Sequence, residues 1–150
     1  MKLTPGIVCS LIVAAVAAVP AFAALGEDVS SVQADVARMK GALRVTSTTA
    51  FDVHEITTSD GIAVREYLSP AGTVFAVAWS GPFMPNLREM LGTYYTQYEQ
   101  AASAPHYGHR HVAVEEPGLI VQSSGRLRAF SGRAWVPALV PPNFSLVEIK

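Results

Sequence analysis

The chain of 150 residues has a single cysteine, Cys9, placed inside an apolar N-terminal run. Once that run is removed, no disulfide, thiol nucleophile or thiolate metal ligand remains. Charge is sparse and balanced, with 11 basic against 12 acidic residues and a formal net charge of −1. No global field therefore draws the protein to nucleic acid or to an anionic membrane. Common enzyme signatures are missing as well: there is no G-x-S-x-G elbow, no P-loop and no G-x-G-x-x-G. The stretch "HEITT" at His54 opens like a zincin motif, but Thr58 stands where the second histidine is required. Glu115 and Glu116 are adjacent, so in a strand they face opposite ways and cannot act as a catalytic carboxylate pair. These absences favour a protein that binds over one that catalyses.

The sequence also lacks an apolar run of the ~20 residues that a helix needs to cross a membrane. What it has is shorter: Lys2, then "GIVCSLIVAAVAAV", then Pro20 and the small-residue pattern Ala21-Phe22-Ala23. A positive start, a short apolar core and an A-x-A site describe a secretory signal peptide, residues 1–23, cut after Ala23. Cys9 lies within the apolar core and not at the cut, which argues against a lipid anchor. The expected product is a single exported domain, residues 24–150, periplasmic or extracellular, with no transmembrane segment after cleavage. Its length suffices to bury a core without covalent staples.

Beyond Leu25 the pattern divides into two kinds of segment. "SSVQADVARMKG" has capping-box spacing at Ser30 and Gln33, apolar residues at Val32, Val36 and Met39, and Gly41 as a stop, which predicts a short amphipathic helix. From Leu43 the period becomes two. "AFDVHEIT", "IAVREYL" and "TVFAVAWS", separated by turns at Ser59-Asp60-Gly61 and at Ser69-Pro70-Ala71-Gly72, predict a three-stranded antiparallel meander. On the second of these, Ile62, Val64 and Leu68 share a face while Arg65 and Tyr67 point away. "NLREMLGTYYTQYEQA" predicts a second, longer helix with a Tyr-rich stripe, weakened at Gly92. "VAV", "LIVQS" and "RLRAFSGRAWVP" then read as strands, with turns at Glu115–Gly118 and around Gly125 and a bulge at Gly132. The predicted fold is α+β, an antiparallel sheet built from hairpins with two amphipathic helices. Similar placement of Gly61 and Gly118, and of Val64 and Val121, is compatible with two α-then-β units.

Three blocks carry a resemblance to a known family: "ALG" at Ala24, "REYLSPAGTVFAVAWSGP" from Arg65, and "FSGRAWVP" from Phe130. They resemble the domain-of-unknown-function family 2844, small exported proteins of Gram-negative bacteria, over essentially the whole of residues 24–150. The resemblance implies a single exported domain and supplies no catalytic or ligand residues.

Two clusters are candidate sites. In "HYGHRH", three of the four histidines, His106, His109 and His111, fall within six residues. Imidazoles at this spacing can form a zinc-like trio if His106 folds back toward a strand carrying His109 and His111, with Glu115 as a further ligand. Ala101–Pro105 and Tyr107-Gly108 read instead as a flexible connector, and Arg110 repels a cation, which favours a solvated loop with no cofactor. The second cluster is Arg126, Arg128, Arg133 and Trp135. Read as one strand, Arg126, Arg128 and Phe130 share a face while Leu127 and Ala129 point inward, offering charge-assisted donors beside aromatic surface to an anion. The leading expectation is an exported non-enzymatic domain that binds a partner protein or an envelope component, such as an anionic glycan or lipid head group. The alternative class is a histidine-bound zinc protein, with hydrolysis as its chemistry. Metal content separates the two.

Overall fold

The period-two segments form one sheet. A computed structural model, which describes residues 25–103 and 111–150, contains strands β1 (Ala42–Ser47), β2 (Asp52–Thr57), β3 (Ala63–Leu68), β4 (Val74–Gly81), β5 (His111–Glu116), β6 (Leu119–Arg126) and β7 (Ala129–Trp135). All pairings are antiparallel, in the order β1-β2-β3-β4-β7-β6-β5. Two meanders thus meet through their last strands, β4 and β7. The fold is α+β in the broad sense, but the sheet dominates.

Strand β1 extends the expected three-stranded meander to four. It is joined to β2 by a turn in which Thr48 Oγ1 donates to the Phe51 carbonyl at 2.7 Å and accepts from the Phe51 amide at 3.0 Å. Between β3 and β4 the Gly72 amide donates to the Ser69 carbonyl at 2.8 Å, closing the expected Pro-Ala-Gly turn with Gly72 at φ +82°. The β6–β7 hairpin differs from expectation. Arg126 and Ala129 are the last paired residues, so the turn is Leu127–Arg128, with Arg128 at φ 60°. Gly125 lies within β6 opposite Phe130. Nor does Gly132 make a bulge, because the β4–β7 register runs through it unbroken. It faces Trp79, and a Cβ at this position would be driven into the indole.

Helix α1 (Val29–Met39) starts two residues earlier than the capping-box reading, because Asp28 and not Ser30 is the N-cap and accepts from the Ser30 amide at 2.7 Å. Lys40 adopts the left-handed conformation that ends it, at φ 49°. The expected second helix is broken. Helix α2 (Leu87–Leu91) gives way to a tight turn at Gly92–Tyr94 before α3 (Tyr95–Ala102). Gly92 stands at φ 50°, ψ −120°, outside the helical region and costly for any residue with a Cβ.

Both faces of the sheet are covered, by different means. On one face Ile56, Val64, Val77, Trp79, Val121 and Ala134 pack with Val32 of α1, Leu91 of α2 and Leu25. Tyr94, Tyr95 and Tyr98 border that core, so the tyrosine stripe is its margin. On the other face Tyr67, Phe75, Ala76, Ala78 and Trp135 pack beneath a C-terminal segment, 137–150, that contributes Leu139, Val140, Phe144 and Ile149. Phe144 meets Phe75 edge to face at 4.7 Å and Phe51 at 4.9 Å. Among the described residues no helix is long and apolar enough to cross a membrane.

Candidate binding face

The C-terminal segment covers only part of its face, and the strands decide what the remainder presents. On β7 the residues in phase with buried Trp135 are Arg133, Ser131 and Ala129; on β6 they are Gln122, Ser124 and Arg126; on β5 they are Ala113 and His111. Register aligns His111, Ser124, Ser131 and Ser80 in one row across β5, β6, β7 and β4. Three hydroxyls and an imidazole therefore stand side by side. The next row inward carries Ala113, Gln122, Arg133 and Ala78, and the row outward carries Arg126 and Ala129.

Ile149 and Lys150 wall this surface on one side, giving a hollow of about 490 Å3. A second hollow of about 440 Å3 extends it toward the hairpin tip, lined by His111, Ser124, Arg126 and Ser131 among others. The Ser124 and Ser131 hydroxyls lie 3.2 Å apart and bond to each other. That pairing is weak on a wet surface, so both hydroxyls can exchange it for a ligand oxygen.

The two arginines at the ends of the surface differ. Arg133 Nε and Nη2 donate to Gln122 Oε1 at 3.0 and 2.8 Å, and its Nη1 donates to the carbonyls of Leu146 and Ile149 at 3.1 and 3.3 Å. Its guanidinium carbon sits 5.5 Å from the centre of the Trp135 ring. It is a post that holds the C-terminal segment, together with Arg65, which donates to the Lys150 carbonyl, and Tyr67, which donates to that of Glu148. Arg126 is exposed and makes no ion pair among the described residues. Its donors are available to an anion.

The structure brings Arg126, Arg133, Trp135 and His111 onto one face. Arg128 does not join them as a strand residue, since it occupies the exposed hairpin turn, and Leu127 beside it is 94% exposed and not turned inward. Trp135 is buried beneath the Arg133 guanidinium and belongs to the core. His106 and His109 lie outside the described residues, while Glu115 falls on the same face as His111. Among the described residues no group of three His, Cys, Asp or Glu side chains is close enough to hold a metal.

Sequence reasoning missed Ser80, Ser124, Ser131 and Gln122. A lone serine in a strand has no signature, and only the register places these in a row. It also missed a buried polar group on the opposite face, formed by Asp35, His54 and Glu66. Here a signal existed, because Glu66 falls between Val64 and Leu68 on the face those residues mark as buried. His54 lies on strand β2, whereas the zincin motif requires a helix. Burial holds its imidazole below the ordinary range, with the nearby Asp52 charge opposing.

The sequence profile of a family described as a protein of unknown function, DUF2844, matches residues 21–149. The chain belongs to the DUF2844 family. Comparison with curated proteins and with solved structures gave no match. The DUF2844 match spans both meanders and the segment that covers the second core, so the open face lies within the region the family shares.

Proposed function

We propose that this DUF2844 chain is an exported, non-enzymatic binding domain whose open sheet face takes an anionic, hydroxyl-bearing component of the cell envelope. The chemistry is a phosphate or carboxylate flanked by hydroxyls, as in a lipid head group or a charged glycan. One observation carries the reading: the row His111, Ser124, Ser131 and Ser80 runs between Arg126 and Arg133 on a concave surface. Serine hydroxyls both donate and accept, which suits sugar and glycerol oxygens, while an exposed guanidinium suits an oxyanion. The hydroxyls stand on an open surface where water screens charge, which favours reversible binding over chemistry on the ligand. Two α-then-β units divide the labour in this reading. The first, α1 with β1–β4, supplies most of the dry core, and the second, α2 and α3 with β5–β7, supplies most of the ligand surface.

The leader at residues 1–23 supports export, and an intact mass beginning at Ala24 in the native host is the expected result. Retention of Met1 would overturn that part. For binding, the probes are inorganic phosphate, vesicles containing an anionic phospholipid, and an anionic oligosaccharide. At least one should bind with an affinity that Arg126→Ala lowers by about tenfold, the loss of one charge-assisted hydrogen bond. Failure of all three, or binding indifferent to Arg126, overturns the reading.

A further inference from the structure

A second polar cluster lies on the opposite face, beneath α1, and its properties are independent of any ligand on the open face. The alternation along β3 that buries Val64 and Leu68 buries Glu66 with them, leaving it 2% exposed. In register, His54 of β2, 7% exposed, stands on one side of Glu66 and Val77 of β4 on the other. Helix α1 lies over this row and sets Asp35, 3% exposed, against Glu66, with a hydrogen bond between the two carboxyl groups. Two ionised carboxylates have no donor between them, so one of the pair must hold a proton.

Arg38 decides which. Its Nη1 lies 2.6 Å from Asp35 Oδ1, one turn along the same helix, so Asp35 is the ionised partner and Glu66 the acid. Among the described residues, α2 brings Glu89 to 4.0 Å from Arg38, β2 brings His54 beside Glu66, and β4 presents Val77. Glu66 Oε2 and His54 Nδ1 have no hydrogen-bond partner among the described residues. Each would be costly as a buried charge, which keeps both groups neutral.

We propose that α1 is seated on the sheet through a single proton shared between Asp35 and Glu66, so that the helix–sheet contact is a proton-operated latch that loosens in alkali. Burial first, then the Asp35 charge and the hydrogen bond to it, push the Glu66 carboxyl up to about 8. The folded chain thus retains a proton that the unfolded chain releases near its ordinary value of about 4.5. Stability supplied by this proton is present below that value. It is lost as pH rises toward about 8, by up to roughly tenfold in the folding constant per pH unit, and the slope ends above it. His54 has the opposite sign: its folded value is depressed, so its contribution is lost as pH falls through the unfolded value of 6.5. Between about 6.5 and 8, among the described residues, the Glu66 slope runs without the opposing one of His54.

The test is urea unfolding of the wild-type chain and of Glu66→Gln across that window, with amide hydrogen exchange of α1. Glutamine cannot ionise but still donates to Asp35. The wild-type folding constant should fall with rising pH, with α1 amides losing protection before those of β3 and β4, and Glu66→Gln should be flat. A flat wild type, or an equal slope in the variant, overturns the proposal. Should the variant fail to fold, carboxyl carbon NMR of the wild type decides. One glutamate titrating well above the others supports the latch, and all glutamates titrating together overturn it.

Discussion

The two faces of the sheet solve the same burial problem in different ways. Beneath the helices, the Asp35 and Glu66 carboxyls are sealed from water and hydrogen-bond to each other, with the half-exposed Arg38 paired to Asp35 at the margin. Beneath the C-terminal segment the cover is held from outside, by Arg65, Tyr67 and Arg133 donating to main-chain carbonyls. It covers Trp135 and Ile120 but stops short of the outer rows of β5, β6 and β7, which leaves serines and Arg126 wet. Buried polarity has become part of the framework, and exposed polarity remains available for partners. Substitutions should therefore damage stability on the first face and binding on the second.

The largest effect is expected at Trp79, which is nearly fully buried on the helix-covered face and lies against Gly132. Trp79→Ala should lower stability by about 3–5 kcal/mol, read from a chemical denaturation midpoint. Gly132→Ala should also destabilise, although it adds only a methyl, because the indole occupies the space above it. Should both substitutions leave the midpoint unmoved, the two-face division of stability is wrong.

An intermediate effect is expected at Arg133. Arg133→Ala removes the donors to Leu146 and Ile149 and leaves Gln122 without its partner, at a cost of about 1–3 kcal/mol. The loss should be local, with main-chain amides of 144–150 exchanging faster while those of β3 and β4 keep their protection. Equal loosening of the whole sheet would show that the C-terminal segment is integral to it and no mere cover.

Much of the first face was legible beforehand. The alternation at Val64 and Leu68, the stripe Val32, Val36 and Met39, and the turn residues of 69–72 each place a residue by local physics. The break at Gly92 was visible as a weakness but not as a change of direction, because a single glycine is compatible with both outcomes. The second face was less legible, since its site depends on which strands meet. The row from His111 to Ser80 joins four strands through the β4–β7 pairing, a contact between chain segments far apart in sequence. Arg126 and Arg128 show the same limit. Both were read on one strand, yet a two-residue turn separates their roles.

The smallest effect on stability is expected at Arg126, and this makes it the sharpest probe of the second face. The residue is exposed, ends β6 and makes no ion pair among the described residues. Arg126→Ala should therefore change stability by no more than about 0.5 kcal/mol. If the surface binds an oxyanion, the same substitution should weaken binding by about tenfold, and Arg126→Lys should restore the charge but not the two-pronged geometry. The wild-type affinity should also fall with added salt, because an exposed guanidinium is screened within about 8–10 Å at moderate ionic strength. The expected pattern is thus an unchanged denaturation midpoint, a weaker and less salt-dependent affinity in Arg126→Ala, and partial recovery in Arg126→Lys. A large loss of stability would place Arg126 in the framework with Arg133. Unchanged, salt-insensitive binding would move the ligand off this face.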